Sequence, residues 1–415
     1  MFGGCFLEEI AEDHGIRLKG FDGQSRFDNL IRQMGRDCQV VILIDEYDKS
    51  LIDNLENLED AREIQRTLKD FYTVVKSMDQ YIRFVFMTGV SRFSRIGVFS
   101  AMNSLDDLTM DRRFAAALGI TDEEMRRYLD DYLVRFAKQE GISPTSLSGK
   151  IRTWYNGFQF VENCPRVYNP FSTLNLFKKQ RFANYWFETG TPSFLIKLIK
   201  ELNFDVTQLK QLELRETAFS TYDLENLAVT PLLVQTGYLT IKDYDPDTRK
   251  YTLAYPNYEV EDAFSVHLLG AFSSVDHGLG EAYLWKLIDA LQSGDLEQFF
   301  TVLDIFFANI DYQLHLKYEK YYQTIFYLIF LLIGLRVEAE VETNKGRIDA
   351  VVELKEAIYL FEFKLDGNAD EALRQIITRD YYQKYRLKGK PMTLVGVNFD
   401  SGKRGVSEWR SEDTV

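Results

Sequence analysis

Three residues near the C-terminus have the types and spacing that metal-assisted chemistry needs. Asp349 follows Gly-Arg-Ile, and Glu362 and Lys364 stand two positions apart at the end of the apolar run Ala357–Leu365. Side chains on a strand alternate between faces, so Glu362 and Lys364 share one face. Two carboxylates suit Mg²⁺, and a nearby lysine can orient water and offset phosphate charge. The pattern indicates Mg²⁺-dependent phosphodiester hydrolysis, and the alternative is an exposed Glu/Lys pair on a solvated strand.

Two elements must position these residues. The run Ala357–Leu365 is rich in β-branched and aromatic residues, which predicts a strand that is apolar on both faces until its last residues. A helix is predicted to follow it and to pack on the sheet through an apolar stripe. The stripe comprises Ala369, Ala372, Leu373, Ile376 and Ile377. Gln375 lies beside this stripe, so its side chain is a further candidate for the site.

These residues resemble the PD-(D/E)XK nuclease superfamily, and more narrowly the nuclease domain at the C-terminus of bacterial AAA-ATPase-like proteins. The matching text is ETNKGRID, YLFEFKLD, ALRQI and LVGVNF. The resemblance implies a restriction-endonuclease-like α/β domain in which Asp349 and Glu362 hold Mg²⁺ and Lys364 is catalytic. It also implies a nucleic-acid substrate, with DNA favoured. An acid of the first helix often joins such metal sites, which makes Glu319 a candidate; the alternative is an acid that favours the helix dipole.

A second acidic pair follows the aliphatic run Val40–Ile44. Asp45 and Glu46 are then expected at the C-terminal edge of a buried parallel strand, where ligands of open α/β sheets bind. In a P-loop ATPase the first acid holds Mg²⁺ and the second polarises the attacking water. The alternative is an ordinary strand that runs into an acidic loop.

A second strand is predicted from Ile82, after a helix over about 60–78. Thr88 or Ser91 would stand where such ATPases sense the nucleotide, and Arg92 could reach a phosphate or be a solvated arginine. This region resembles the AAA-ATPase-like family that carries the nuclease domain, and the resemblance continues through WYNGF, YNPFS and YWFETG.

The phosphate loop of that family is missing. The sequence contains no G-x-x-x-x-G-K-[ST], the motif whose backbone amides and lysine cradle the β- and γ-phosphates. One account is that the chain begins inside the ATPase domain, and the other is a degenerate ATPase. ATP is therefore expected as a cofactor only if an upstream phosphate loop is supplied.

Composition and charge limit the partners and the cellular location that the sequence favours. The net charge is −14, yet residues 311–415 hold 16 Lys and Arg against 17 Asp and Glu, so the acidity lies outside the candidate nuclease domain. Three widely spaced cysteines, no basic leader and no apolar run of about 20 residues favour a cytoplasmic protein without a membrane span. The run Ile325–Leu335 predicts a buried helix.

The sequence thus predicts an α/β protein in three parts. Residues 1–200 form a truncated P-loop, AAA-like ATPase core, 201–310 a helical and winged-helix-like connector, and 311–415 the nuclease domain. The predicted function is an Mg²⁺-dependent nuclease regulated by the ATPase module, through which the chain could also form a homo-oligomer. The alternatives are a non-cleaving, nucleotide-responsive signalling or DNA-binding scaffold, or an inactive fragment.

Overall fold

The computed structural model of the chain describes residues 4–54, 57–90, 105–189, 193–219, 228–310, 319–337, 340–343, 349–378, 383–386, 388–403 and 405–414. Within them the helices are α1 (Gly4–Asp13), α2 (Gly23–Met34), α3 (Lys49–Ile52), α4 (Leu58–Ser77), α5 (Asp122–Glu140), α6 (Pro144–Tyr155), α7 (Pro170–Lys179), α8 (Ser193–Glu201), α9 (Val229–Gln235), α10 (Tyr258–Ser273), α11 (His277–Ser293), α12 (Leu296–Ala308), α13 (Glu319–Val337), α14 (Ala369–Thr378) and α15 (Gln383–Arg386). The strands are β1 (Val40–Ile44), β2 (Ile82–Met87), β3 (Leu212–Leu214), β4 (Thr240–Asp245), β5 (Lys250–Ala254), β6 (Glu340–Thr343), β7 (Asp349–Glu353), β8 (Ile358–Leu365), β9 (Met392–Asp400) and β10 (Gly405–Thr414).

The chain divides into two compact units. The first contains Met1–Ala117, Gln159–Pro165 and Glu213–Leu253, and the second contains Leu118–Phe158, Arg166–Leu212 and Ala254–Val415. The three domain boundaries expected from the sequence stay a prediction.

The first unit contains the predicted strand–helix–strand element. β1 and β2 pair in parallel, with Ile44 opposite Met87, which confirms the predicted parallel pairing. The predicted burial of β1 was wrong, because its residues alternate between half-buried and exposed. α4 lies between the two strands in the chain and is capped by Asn57, whose side chain accepts hydrogen bonds from the amides of the first helical turn. One face of this strand pair is exposed and apolar; it comprises Val41 (50%), Leu43 (71%), Phe84 (53%) and Phe86 (44%). Helix α9 and strands β4 and β5 follow later in the chain, and β5 lies between β3 and β4.

The second unit is built on a five-stranded sheet of order β10-β9-β8-β7-β6. β8 pairs in parallel with β9 and antiparallel with β7. One face packs against α14 through a core that includes Ile358, Leu360 and Ile376. The other face packs against α12 and α13 through aromatic pairs such as Phe299–Phe361 and Phe326–Phe363. The sheet is therefore covered on both sides, which explains why β8 is apolar on both faces.

The apolar run of α13 is a buried helix, as predicted, since Ile325 through Ile333 are each at most 6% exposed. No helix among the described residues combines the length and the apolar character that crossing a membrane requires.

Helices α5, α6 and α7 form a second core in this unit. It is centred on Phe136, Ile151, Tyr155 and Leu176, and Trp154 packs against it. α5 begins with a capping box, in which Thr121 and Glu124 exchange hydrogen bonds.

Candidate functional site

Asp349 and Glu362 occupy opposite positions on neighbouring strands. Asp349 begins β7 and is the register partner of Glu362 on β8. Residues that face each other across an antiparallel pair share one face of the sheet, with Cβ atoms about 4.5–5.5 Å apart. The backbone register therefore places position 349 opposite Glu362, and the side chain of Asp349 lies outside the described residues.

Glu362, Lys364 and Gln375 form one connected group. The Gln375 amide nitrogen donates to Oε1 of Glu362, and the Lys364 ammonium donates to Oε1 of Gln375 at 2.6 Å. Lys364 Nζ lies 3.9 Å from Glu362 Oε1. The side chain of Glu362 is 2% exposed and that of Lys364 is 32% exposed, so the group extends from the core to the surface.

Helix α14 brings Gln375 to this place because its apolar stripe lies on the Glu362 face of the sheet. Ala369 and Ala372 are fully buried, and Leu373 and Ile377 pack against the core that contains Ile376. The helical period then leaves Gln375 at the margin of the buried stripe, where its amide can contact polar groups at the end of β8.

The arrangement can bind a cation and a phosphate at neighbouring points. A buried carboxylate carries a large desolvation cost unless it is paired or binds a metal. Gln375 and Lys364 offset part of this cost for Glu362 with a donated hydrogen bond and a nearby positive charge. The more exposed ammonium of Lys364 remains available to an anionic ligand. Glu319 begins α13, but its side chain lies outside the described residues.

The predicted nucleotide site lies at the C-terminal ends of β1 and β2. The Thr88 hydroxyl donates to Oδ1 of Asp45, and the backbone amide of Tyr47 donates to the Thr88 carbonyl at 3.0 Å. Glu46 has a φ of 50°, in the left-handed region that non-glycine residues rarely adopt. The structure thus brings Asp45 and Thr88 together, and their predicted nucleotide roles stay predictions, whereas Ser91 and Arg92 lie outside the described residues.

The sequence reasoning assigned no role to Asp48. This residue is fully buried, and its Oδ1 accepts a hydrogen bond from the backbone amide of Val90 at 3.1 Å. Burial raises the pKa of the Tyr72 hydroxyl, and the negative charge of Asp48 raises it further. Asp48 therefore ties the loop after β1 to the turn after β2. The signal in the sequence was a third acid two positions after Glu46.

No group of three or more His, Cys, Asp or Glu side chains suited to a metal occurs within the described parts of the chain. The metal hypothesis therefore depends on the Asp349 and Glu362 positions and on Asp45.

Known proteins resemble both ends of the chain. Residues 317–409 match the PD-(D/E)XK nuclease superfamily, and residues 7–99 match a family described as predicted AAA-ATPase. A protein of Azotobacter chroococcum mcd 1, named "Uncharacterized protein in vnfD 5'region", is 36% identical over 407 residues, which cover 94% of this chain and 76% of that protein. No solved structure matches the chain. The chain therefore belongs to the family of the A. chroococcum protein, with an AAA-ATPase-like region followed by a C-terminal PD-(D/E)XK nuclease superfamily domain.

Proposed function

We propose that the C-terminal domain hydrolyses phosphodiester bonds of nucleic acid, with DNA favoured, in an Mg²⁺-dependent reaction. The observation that carries the proposal is the group formed by Glu362, Lys364 and Gln375 beside the register partner Asp349. This group joins a carboxylate, an ammonium and an amide, and the backbone register places position 349 opposite the carboxylate-bearing Glu362.

The donor set fits Mg²⁺. Asp349 and Glu362 would hold the ion, because carboxylate oxygens are the ligands that this hard cation prefers. When bound, the ion would polarise a phosphate oxygen and lower the pKa of its water. Lys364 would orient that water and balance the charge on the attacked phosphate. Gln375 would keep Glu362 and Lys364 apart at fixed positions, since its amide contacts both.

Two variants separate these roles in a cleavage assay with double- and single-stranded DNA and RNA. Asp349→Ala should abolish Mg²⁺-dependent cleavage and weaken Mg²⁺ binding measured by calorimetry. Lys364→Ala should abolish cleavage and leave Mg²⁺ binding near wild type, because the ammonium acts on water and phosphate. Full cleavage by the Lys364 variant, or absence of cleavage of every substrate by the wild-type chain, would contradict the proposal.

We also propose that the AAA-ATPase-like region regulates this activity. The Thr88 hydroxyl donates to Asp45 at the ends of β1 and β2, where these residues would supply a metal-side carboxylate and a sensing hydroxyl, but the sequence holds no phosphate loop. ATP would therefore act on this chain only where such a loop is supplied. Nuclease rates of the chain measured with and without ATP, alone and with an added phosphate-loop segment, test this dependence; identical rates under all conditions would argue against regulation.

A further inference from the structure

The β9 residue next to Glu362 is a glycine. Glu362 and Gly396 are register partners in the parallel β8–β9 pair. Neighbouring register positions of adjacent strands lie on the same face, so Gly396 stands under the face that carries Glu362 and that α14 covers.

Helix α14 lies directly on this glycine. A Cβ atom at position 396 would lie 2.3 Å from the carbonyl oxygen of Ala369, 2.5 Å from the amide nitrogen of Leu373 and 2.8 Å from the Leu373 Cβ. Two of these three atoms belong to the helix backbone, which cannot rotate away as the end of a side chain can. Any side chain at position 396 would therefore displace α14 from the sheet.

The geometry points to Gly396 as a positioning residue of the candidate nuclease site, an inference that rests on the proposed function. Gly396 sets the distance of α14 from β8 and β9, and α14 carries Gln375. Only at this short distance does the Gln375 amide reach both Glu362 and Lys364, with 2.6 Å between Lys364 Nζ and Gln375 Oε1. Gly396 acts through Gln375 and touches neither metal nor substrate.

A double-mutant cycle tests this pathway. Gly396→Ala and Gln375→Ala should each reduce kcat for Mg²⁺-dependent cleavage by up to about 100-fold, as expected for a group misplaced by about 1 Å. The double variant should be no slower than Gln375→Ala, because the helix shift has no further effect once the amide is absent. If the reduction in kcat of the double variant equalled the product of the two single-variant reductions, the inference would be overturned.

Gly280 provides the matched control. It lies in α11 of the same unit, and a Cβ atom there would have no neighbour within 4 Å. Gly280→Ala should leave kcat and the Mg²⁺ affinity unchanged. A loss of activity in this variant equal to that of Gly396→Ala would mean that the effect is not specific to the α14 contact.

Crystal structures of the variants give a readout that does not need activity. In Gly396→Ala, Gln375 Oε1 should lie beyond the hydrogen-bond limit of about 3.5 Å from Lys364 Nζ; an unchanged α14 and an intact contact would overturn the inference. If this variant does not fold, Ala372→Val displaces the same helix from its own side, because Ala372 is fully buried. If the wild-type chain cleaves nothing, the proposed function fails, and the crystallographic distance still decides the role of Gly396.

Discussion

At the scale of residues, Gln375 contacts Glu362. A charge introduced at position 375 should therefore change the pH dependence of Mg²⁺ binding. Gln375→Glu would place a second carboxylate beside Glu362, and two like charges that share a site raise the pKa of one of them. Proton competition with Mg²⁺ should then extend to higher pH than in the wild type. Calorimetric Mg²⁺ titrations from pH 5 to pH 8 would measure the shift, with Gln375→Leu as the control that adds no charge. If the Mg²⁺ affinities of the wild type and Gln375→Glu changed with pH in the same way, the contact between residues 375 and 362 would be contradicted.

Glu46 carries backbone strain at the predicted nucleotide site. Its φ of 50° costs a residue with a Cβ atom about 1 kcal/mol or more. Glu46→Gly should therefore leave the free energy of unfolding nearly unchanged, because relief of strain offsets the greater chain entropy of glycine. Glu46→Val, with a β-branched side chain at the same φ, should destabilise the protein by more than 1 kcal/mol. Equal denaturant midpoints for the two variants would show that the left-handed conformation is not maintained in solution.

At the scale of elements, Trp154 joins α6 to its surroundings. Its ring centroid lies 4.5 Å from that of Tyr258 and 5.3 Å from that of Phe182. Trp154→Ala should lower the free energy of unfolding by about 3 kcal/mol, the low end of the range for large aromatic deletions, because the side chain is only partly buried. Trp285, which is 48% exposed, offers a control whose alanine variant should melt near the wild-type temperature. An unchanged melting temperature for Trp154→Ala would contradict this packing role.

Asp304 connects α12 to β10 and makes this contact dependent on pH. Burial raises the pKa of its carboxyl, although the bond accepted from the Val406 amide at 2.7 Å acts in the opposite direction. Since the folded pKa lies above the unfolded one, the stability from this group is present below the unfolded pKa and is lost as pH rises through the folded pKa. The free energy of unfolding of Asp304→Asn should therefore increase relative to that of the wild type as pH rises from 3 to 7. Urea unfolding of both proteins at several pH values measures this change. A difference in unfolding free energy that stays constant with pH would contradict the prediction.

The sequence predicted elements better than it predicted contacts. The strand through Glu362 and the stripe of α14 follow from local periodicity, and that stripe also indicated that Gln375 could reach the site. Local periodicity marks neither Asp48 nor Gly396, although Asp48 is a third acid close to Asp45 and Glu46. Their surroundings are set by Val90 and by α14, and only the folded chain brings those segments next to them. The roles of the predicted site residues stay predictions until the variants are measured.

At the scale of the whole molecule, the ATPase-like region should not turn over ATP by itself. The 415 residues contain no G-x-x-x-x-G-K-[ST], so the backbone amides and lysine that bind the β- and γ-phosphates are missing. Phosphate release from Mg²⁺–ATP should equal the rate without protein. Hydrolysis that disappears in Glu46→Gln would reveal a phosphate site of another kind.

The apolar face of β1 and β2 has a consequence for how the protein behaves in concentrated solution. A net charge of −14 keeps molecules apart at low ionic strength, but salt screens this repulsion over about 10 Å at 0.1 M. Val41, Leu43, Phe84 and Phe86 would then govern colloidal stability, since a contiguous apolar patch favours association. Leu43→Glu should lower the fluorescence of an apolar-surface dye and raise the salt concentration at which light scattering increases. The same substitution would leave scattering unchanged if this face were covered in solution.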